Sequence, residues 1–190
     1  MAGGGRDSIV IDANSAIDLI KLNVLHVVTE ASGYAFLITE DVTSEIKWPS
    51  QRNVLQKILN ADLVFQVSLN DTKELELYSE LRATLDSGEA ASLAYARYHN
   101  CYMLSDENDR AFMREVRRII TERRLKRNPE LLGETIRTRS LSLSDLKRRI
   151  DNLRNEILTQ RDADDICHFE NVLKEVEKIS QKIDGKILDI

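Results

Sequence analysis

Apolar residues in this chain come in short runs that alternate with longer amphipathic stretches. The first run, Ser8-Ile9-Val10-Ile11, is rich in β-branched residues. It reads as a buried strand, because a strand covered on both faces needs no polar alternation. It drives into Asp12, and Asn14 or Ser15 is placed to cap an amphipathic helix over residues 16–28. Gly33 breaks that pattern, residues 35–39 form a second strand, and residues 41–46 form a short helix that Pro49 stops. Helical spacing returns over 51–60, a third strand covers 63–67, and Asn70 or Asp71 caps a helix reaching Leu85. Asp86-Ser87-Gly88-Glu89 opens an alanine-rich helix over 90–99, followed by a fourth strand, 101–105, that ends on Asp106. Asn108 or Asp109 starts a long helix to about residue 128, before Pro129. Residues 135–141 suit a last, edge strand, and Ser142 or Ser144 caps a helix from Asp145. The charged tail stays helical to Lys182, with a break near 162–165.

Strands that alternate with helices predict a three-layer α/β/α domain with a mostly parallel central sheet, followed by a C-terminal helical extension. The expected divisions are a leader, 1–7, the α/β domain, 8–144, and the extension, 145–190. Right-handed crossovers would bring every strand's carboxyl end to one rim, where open α/β sheets place their ligands.

Composition narrows the function classes. The 190 residues are 42% apolar and 31% charged, enough for one real core with long exposed helices. No apolar run approaches the length that spans a membrane, and the first residues lack the apolar core of a signal peptide. The two cysteines, Cys101 and Cys167, form no close pair, so a reducing cytoplasm is the expected compartment. A net charge of −5 disfavours non-specific nucleic-acid binding by the whole surface but leaves room for a local basic face. No GxxxxGK[ST] or GxGxxG phosphate loop is present.

Several acids fall at the rim. Asp12 ends the first strand and Asp106 the fourth, while Glu45, Glu89 and Asp109 lie near helix starts or within short helices. Acids in first turns suit the helix dipole, so Glu45, Glu89 and Asp109 each have an ordinary explanation. Asp12 and Asp106 are harder to dismiss, because each follows a buried apolar strand. Two such carboxylates repel unless one holds a proton or a cation sits between them. An all-oxygen ligand set suits Mg²⁺ or Mn²⁺, the ions of phosphoryl chemistry.

Four segments carry a family resemblance: Ile9-Val10-Ile11-Asp12-Ala13-Asn14-Ser15, Val42-Thr43-Ser44-Glu45-Ile46, Gly88-Glu89-Ala90-Ala91-Ser92-Leu93-Ala94, and Met103-Leu104-Ser105-Asp106-Glu107-Asn108-Asp109-Arg110-Ala111. In that order, over residues 7–145, the chain resembles a PIN domain, and within that family the stand-alone toxins of the VapC type. The resemblance implies a metal-dependent endoribonuclease that uses a metal-activated water and is held inactive by an antitoxin protein. It implies that Asp12, Glu45, Glu89 and Asp106 form the acidic metal site, with Asp109 a fifth member and Ser15 beside the first acid. The long basic helix, the lack of a compact glycine-rich turn near residues 135–139 and the long tail depart from that pattern. Two other classes stay open: a non-catalytic nucleic-acid or protein-binding module on the same fold, and a structure-specific DNA nuclease.

Residues 110–127 carry eight basic side chains, seven of them arginine. Arg110, Arg114, Arg117 and Arg118 would give an RNA backbone a track leading from the acidic site. The competing reading is a solvated face paired with the chain's own acids. Leu146, Ile150, Leu153 and Ile157, with Val172, Val176 and Ile179, form an apolar seam that predicts a dimer or antitoxin interface, against packing on the chain's own sheet. His26, His99 and His168 are isolated in sequence and read as ordinary helix or loop residues, Trp48 as a packing residue in preference to a contact for a nucleic-acid base, and Asp162, Asp164 and Asp165 as a solvated turn.

Overall fold

Strand β1 (Asp7–Ile11) forms the middle of a five-stranded parallel sheet in the computed structural model, which describes residues 6–155 and 160–187. Strands β2 (Tyr34–Thr39) and β3 (Val64–Val67) lie to one side, β4 (Tyr102–Leu104) and β5 (Leu125–Lys126) to the other. Ile11 pairs with Ile38 on one flank and with Leu104 on the other. The order β3-β2-β1-β4-β5 means that the chain builds outward from β1, then crosses back to begin again at β4. The sheet's topological switch point therefore lies between β1 and β4, the crevice where such sheets bind ligands.

Alternation along β1 divides the core. Ile9 and Ile11 face a layer built from α1 (Ala13–Lys21), α2 (Leu25–Ala31), α8 (Asn128–Arg137), α9 (Leu143–Asn155) and α10 (Gln160–Ile187). Val10 faces α5 (Thr72–Leu81), α6 (Ser87–Tyr98) and α7 (Arg110–Ile119). The short α3 (Glu40–Glu45) and α4 (Pro49–Asn60) close the β2–β3 side, packing Val42, Leu55 and Ile58 on the first layer. The three-layer architecture is the expected one.

Several local expectations are corrected. The helix expected over 16–28 is two, because Asn23 adopts a left-handed φ of 52° and turns the chain between α1 and α2. Its cap is Asp12 itself, not Asn14 or Ser15. The long basic helix stops at Ile119. Thr121 takes a φ of 70°, and the chain passes through a 3₁₀ turn, Glu122–Arg124, to set Leu125 against Met103 as the edge strand. The strand expected over 135–141 is instead the last residues of α8, whose buried face includes Leu131, Leu132 and Thr135, and the turn that follows it. Pro129 sits in that helix's first turn, where its missing N–H costs nothing, so Pro129 starts a helix rather than ending one. Pro49 does the same for α4.

The tail is part of the body. Leu146, Ile150, Phe169, Val172 and Val176 are buried in the same core as Ile9 and Ile11. The seam expected to face a dimer or antitoxin is thus covered by the chain's own sheet and helices, while Ile157 lies outside the described residues. The leader's residues 1–5 do too, and β1 already begins at Asp7. No break occurs at 162–165, since α10 runs on from Gln160. Among the described residues no helix is long and apolar enough to cross a membrane.

Gly133 allows α10 to approach α8 closely: a Cβ at that position would lie 2.8 Å from Ile179 Cγ2. Gly133→Ala gains about 1 kcal/mol of helix propensity, but overpacking costs roughly 1–3 kcal/mol. The expected outcome in thermal melts is a net loss of up to several degrees. Ile179→Ala added to Gly133→Ala should cost less than Ile179→Ala alone, because the two positions share one contact.

Candidate functional site

Neighbouring strands β1 and β4 end side by side, and each hands the chain to a carboxylate. The Asp12 amide donates to the Leu104 carbonyl at 3.0 Å, so the ladder runs one residue past Ile11 and leaves Asp12 at the rim, 2% exposed. Its Oδ1 accepts from the Ser15 amide at 2.7 Å and caps α1. Burial drives the Asp12 carboxyl up to about 7. The Ser105 and Ser15 hydroxyls and the Ser15 amide oppose that rise, and the charge of Asp106 adds to it. Ser15 is itself fully buried. Its hydroxyl lies near enough to favour the charged carboxylate but makes no hydrogen bond of ordinary geometry.

Asp106 lies two residues beyond β4. Its Oδ1 accepts from the Asn128 amide at 2.9 Å, at the start of α8, while its Oδ2 is buried without a partner. The side-chain amide of Asn128, 2% exposed, is unpartnered as well. Arg127 donates to the Ser105 carbonyl at 2.8 Å and the Glu107 carbonyl at 2.6 Å, fastening the loop that carries Asp106. Burial raises the Asp106 pKa and Asp18 adds to it, against the Asn128 amide, Arg127 and His168.

The other two acids are delivered by α3 and α6. Glu45 is the last residue of α3, and its Oε1 accepts from Ser87 Oγ at 2.7 Å and from the Gly88 amide at 2.8 Å. A Cβ on residue 88 would fall 2.6 Å from Glu45 Oε2, so glycine there makes room for this carboxylate. Glu89 shares a capping box with Asp86. Its pKa is pushed up to about 7, first by burial, then by the charges of Asp86, Glu107 and Asp12. Asp12 thus feels the charge of Asp106, and Glu89 feels that of Asp12. Asp109 stands apart as the exposed cap of α7, accepting from the Ala111 amide at 2.5 Å and the Phe112 amide at 2.9 Å.

The tightest group of possible ligands is one that sequence reasoning missed. Among the described residues, Asp18, Asp106 and His168 bring ligand atoms within 4.8 Å of one another, and Asp12, Glu45 and Glu89 join no group that tight. His168 Nε2 lies 2.8 Å from Asp18 Oδ2, and that bond raises the His168 pKa. One turn earlier on α10, Asp165 pairs with Lys21 of α1 at 2.5 Å. An i, i+3 pair on α1 therefore meets an i, i+3 pair on α10 beside the acidic rim. A buried, unpartnered carboxylate oxygen among further carboxylates and one imidazole is a donor set that fits a divalent cation of the Mg²⁺ or Mn²⁺ kind.

The arginines divide. Arg114 and Arg118 bond Glu115, at 2.9 and 2.6 Å, Arg118 also reaches Glu80 at 2.8 Å, and Arg117 pairs with Glu122. Burial of Glu115 would raise its pKa, yet the two arginines hold it below the usual range. Arg110 is exposed at the first position of α7 and has no ion pair among the described residues.

A family model described as a PIN domain matches residues 8–119, well over half of the chain. No curated protein matches the chain, and no solved structure does.

Asp12 has an ordinary carboxyl pKa of 3.8 when unfolded and about 7 when folded. The folded state holds its proton longer, so this group lowers stability progressively as pH rises from about 4 to 7, by about 1.4 kcal/mol per unit of difference. Asp12→Asn keeps the cap and removes that charge. Metal-free melts should show the variant several degrees more stable than the parent at pH 8 and close to it at pH 4.

Proposed function

The chain belongs to the PIN-domain family, and from that premise we propose that it is a metal-dependent endoribonuclease, the toxin of a toxin–antitoxin pair. The observation that supports the reading best is the buried, unpartnered Oδ2 of Asp106 at the β1–β4 switch point, beside an Asp12 whose burial is only partly compensated. Asp12 and Asp106 would hold a Mg²⁺ or Mn²⁺ ion, with Glu45 and Glu89 completing the site directly or through waters. Asp18 and His168 add ligand capacity next to Asp106, and an imidazole there favours Mn²⁺. When bound, the cation supplies positive charge to the scissile phosphate and an activated water.

The chain's own residues prepare that chemistry. Arg127 fixes the loop that orients Asp106, and the amides of Ser15, Asn128 and Gly88 each hold one carboxylate oxygen in place. Arg110, without an ion pair among the described residues and placed at the start of α7, four residues past Asp106, is the arginine of this helix best placed to meet substrate phosphate. Arg114, Arg117 and Arg118 face competition from their own acids. The toxin role and the antitoxin partner rest on the sequence resemblance, and the apolar seam that would have served a partner or a second copy is used inside the fold.

Asp106→Asn, and Asp12→Asn with Asp106→Asn, should reduce Mn²⁺-dependent cleavage of single-stranded RNA by more than about 100-fold while circular dichroism stays unchanged. Calorimetric titration with Mn²⁺ should lose its heat in the same variants. Cleavage that survives the double change would sink the mechanism. Binding of RNA without cleavage by the parent chain would favour the non-catalytic module, and preferential cleavage of branched DNA would favour the DNA nuclease.

A further inference from the structure

Trp48 does not pack. It is 60% exposed, the most exposed large apolar side chain among the described residues, and it stands at the mouth of a cleft of about 460 Å³. Glu45, Lys47, Lys21, Gln51 and Ile17 line the same cleft. Its indole is presented by a braced segment. Pro49 follows it at the start of α4 and holds residue 48 extended, with φ −71° and ψ 128°. Arg52 ties both ends of the bend, donating from its amide to the Trp48 carbonyl at 2.9 Å and from Nε to the Ile46 carbonyl at 2.8 Å. The backbone that carries the ring is thus held in a fixed bend, and the ring itself stands largely in water in a cleft shared with an acid of the candidate metal site.

We propose that this cleft is a single-strand subsite, in which an unpaired nucleobase of RNA stacks on Trp48 and the adjoining phosphate meets Lys47. An aromatic face with a cation at its edge is the chemistry that grips single strands without reading their sequence. Lys47 is exposed and has no ion pair among the described residues, so its ammonium is available to a phosphate, whereas Lys21 deeper in the cleft is engaged with Asp165. Glu45 lines the same cleft, so a base held on Trp48 places its strand beside an acid of the candidate site. A duplex hides its bases and cannot use the platform. The choice of RNA as ligand rests on the nuclease reading; the platform itself does not.

Trp48 is the chain's only tryptophan, so its fluorescence reports on this cleft alone. The probe is a short phosphorothioate oligouridine, which resists cleavage, added to the intact chain in Mg²⁺, with duplex RNA and polyglutamate as comparisons. Saturable quenching by the single strand, with little from the duplex, is expected. Trp48→Ala should weaken binding of labelled oligouridine roughly 5- to 150-fold and Trp48→Phe far less. Lys47→Ala should lower the slope of log affinity against log salt by about 0.7. Unchanged fluorescence with the single strand, or equal affinity in Trp48→Ala, overturns the proposal. So does equal quenching by polyglutamate, which would mark the cleft as a seat for an acidic protein partner. Cleavage of unmodified RNA, measured in parallel, separates the two readings: quenching without cleavage removes the nuclease and keeps the subsite, and cleavage without quenching does the reverse.

Discussion

Keeping carboxylates out of water at the carboxyl ends of β1 and β4 is the constraint on which the site depends. The fold meets it with helix N-termini. Asp12 takes the Ser15 amide of α1, Asp106 the Asn128 amide of α8, and Glu45 the Gly88 amide of α6. Each N-terminus carries unsatisfied N–H groups and a partial positive charge, so three helices converge on the rim as a diffuse cation. The compensation is incomplete, since Asp12 and Glu89 still rise to about 7. Capping and ligation do not compete here. Each cap occupies one oxygen, Oδ1 of Asp12, Oδ1 of Asp106 and Oε1 of Glu45, and leaves the other for a further partner.

The same constraint explains what α10 does. Phe169, Val172 and Val176 bury one stripe of the helix in the core, which fixes its rotation. The neighbouring stripe then presents Asp165 and His168 to Lys21 and Asp18 of α1. A tail that looks appended in sequence therefore forms one wall of the crevice that opens at Asp106. Its depth of insertion depends on Gly133, where the lack of a side chain lets α8 and α10 close up.

Legibility in the sequence followed the strength of local signals. Strands β1 to β4 were readable because each is an apolar run bounded by polar breakers, and Asp12 and Asp106 were readable because each directly follows such a run. Strand β5 was not, since two residues carry no period, and Leu125 sits among arginines. Without it α7 looks longer than it is and the edge strand falls on α8, although the i, i+1, i+4 face of Leu131, Leu132 and Thr135 marks that segment as a helix. Asp18 and His168 were beyond reach in principle: they lie 150 residues apart, and only the packing of α10 brings them together. Glu89 had an ordinary explanation that the structure bears out, as the capping-box residue of α6, whereas Glu45 ends its own helix and is held instead by Ser87 and Gly88 at the start of α6, a contact between distant segments that no local pattern announces.

Charge decides how a polyanion could reach this rim. The chain carries a net −5, and the arginines that looked like a track are largely neutralised by Glu115, Glu122 and Glu80. Salt screens interactions beyond about 8 Å at physiological strength, so distant basic residues do little to offset the acids at the crevice. Attraction has to be local, from a cation held by those acids, from exposed groups such as Arg110 and Lys47, and from contacts that do not depend on charge. An exposed indole beside Glu45 is such a contact, because stacking on a base gains strength from the area covered rather than from opposite charge. On a surface this acidic, such a contact would favour a strand open enough to offer a base over a duplex that hides its bases.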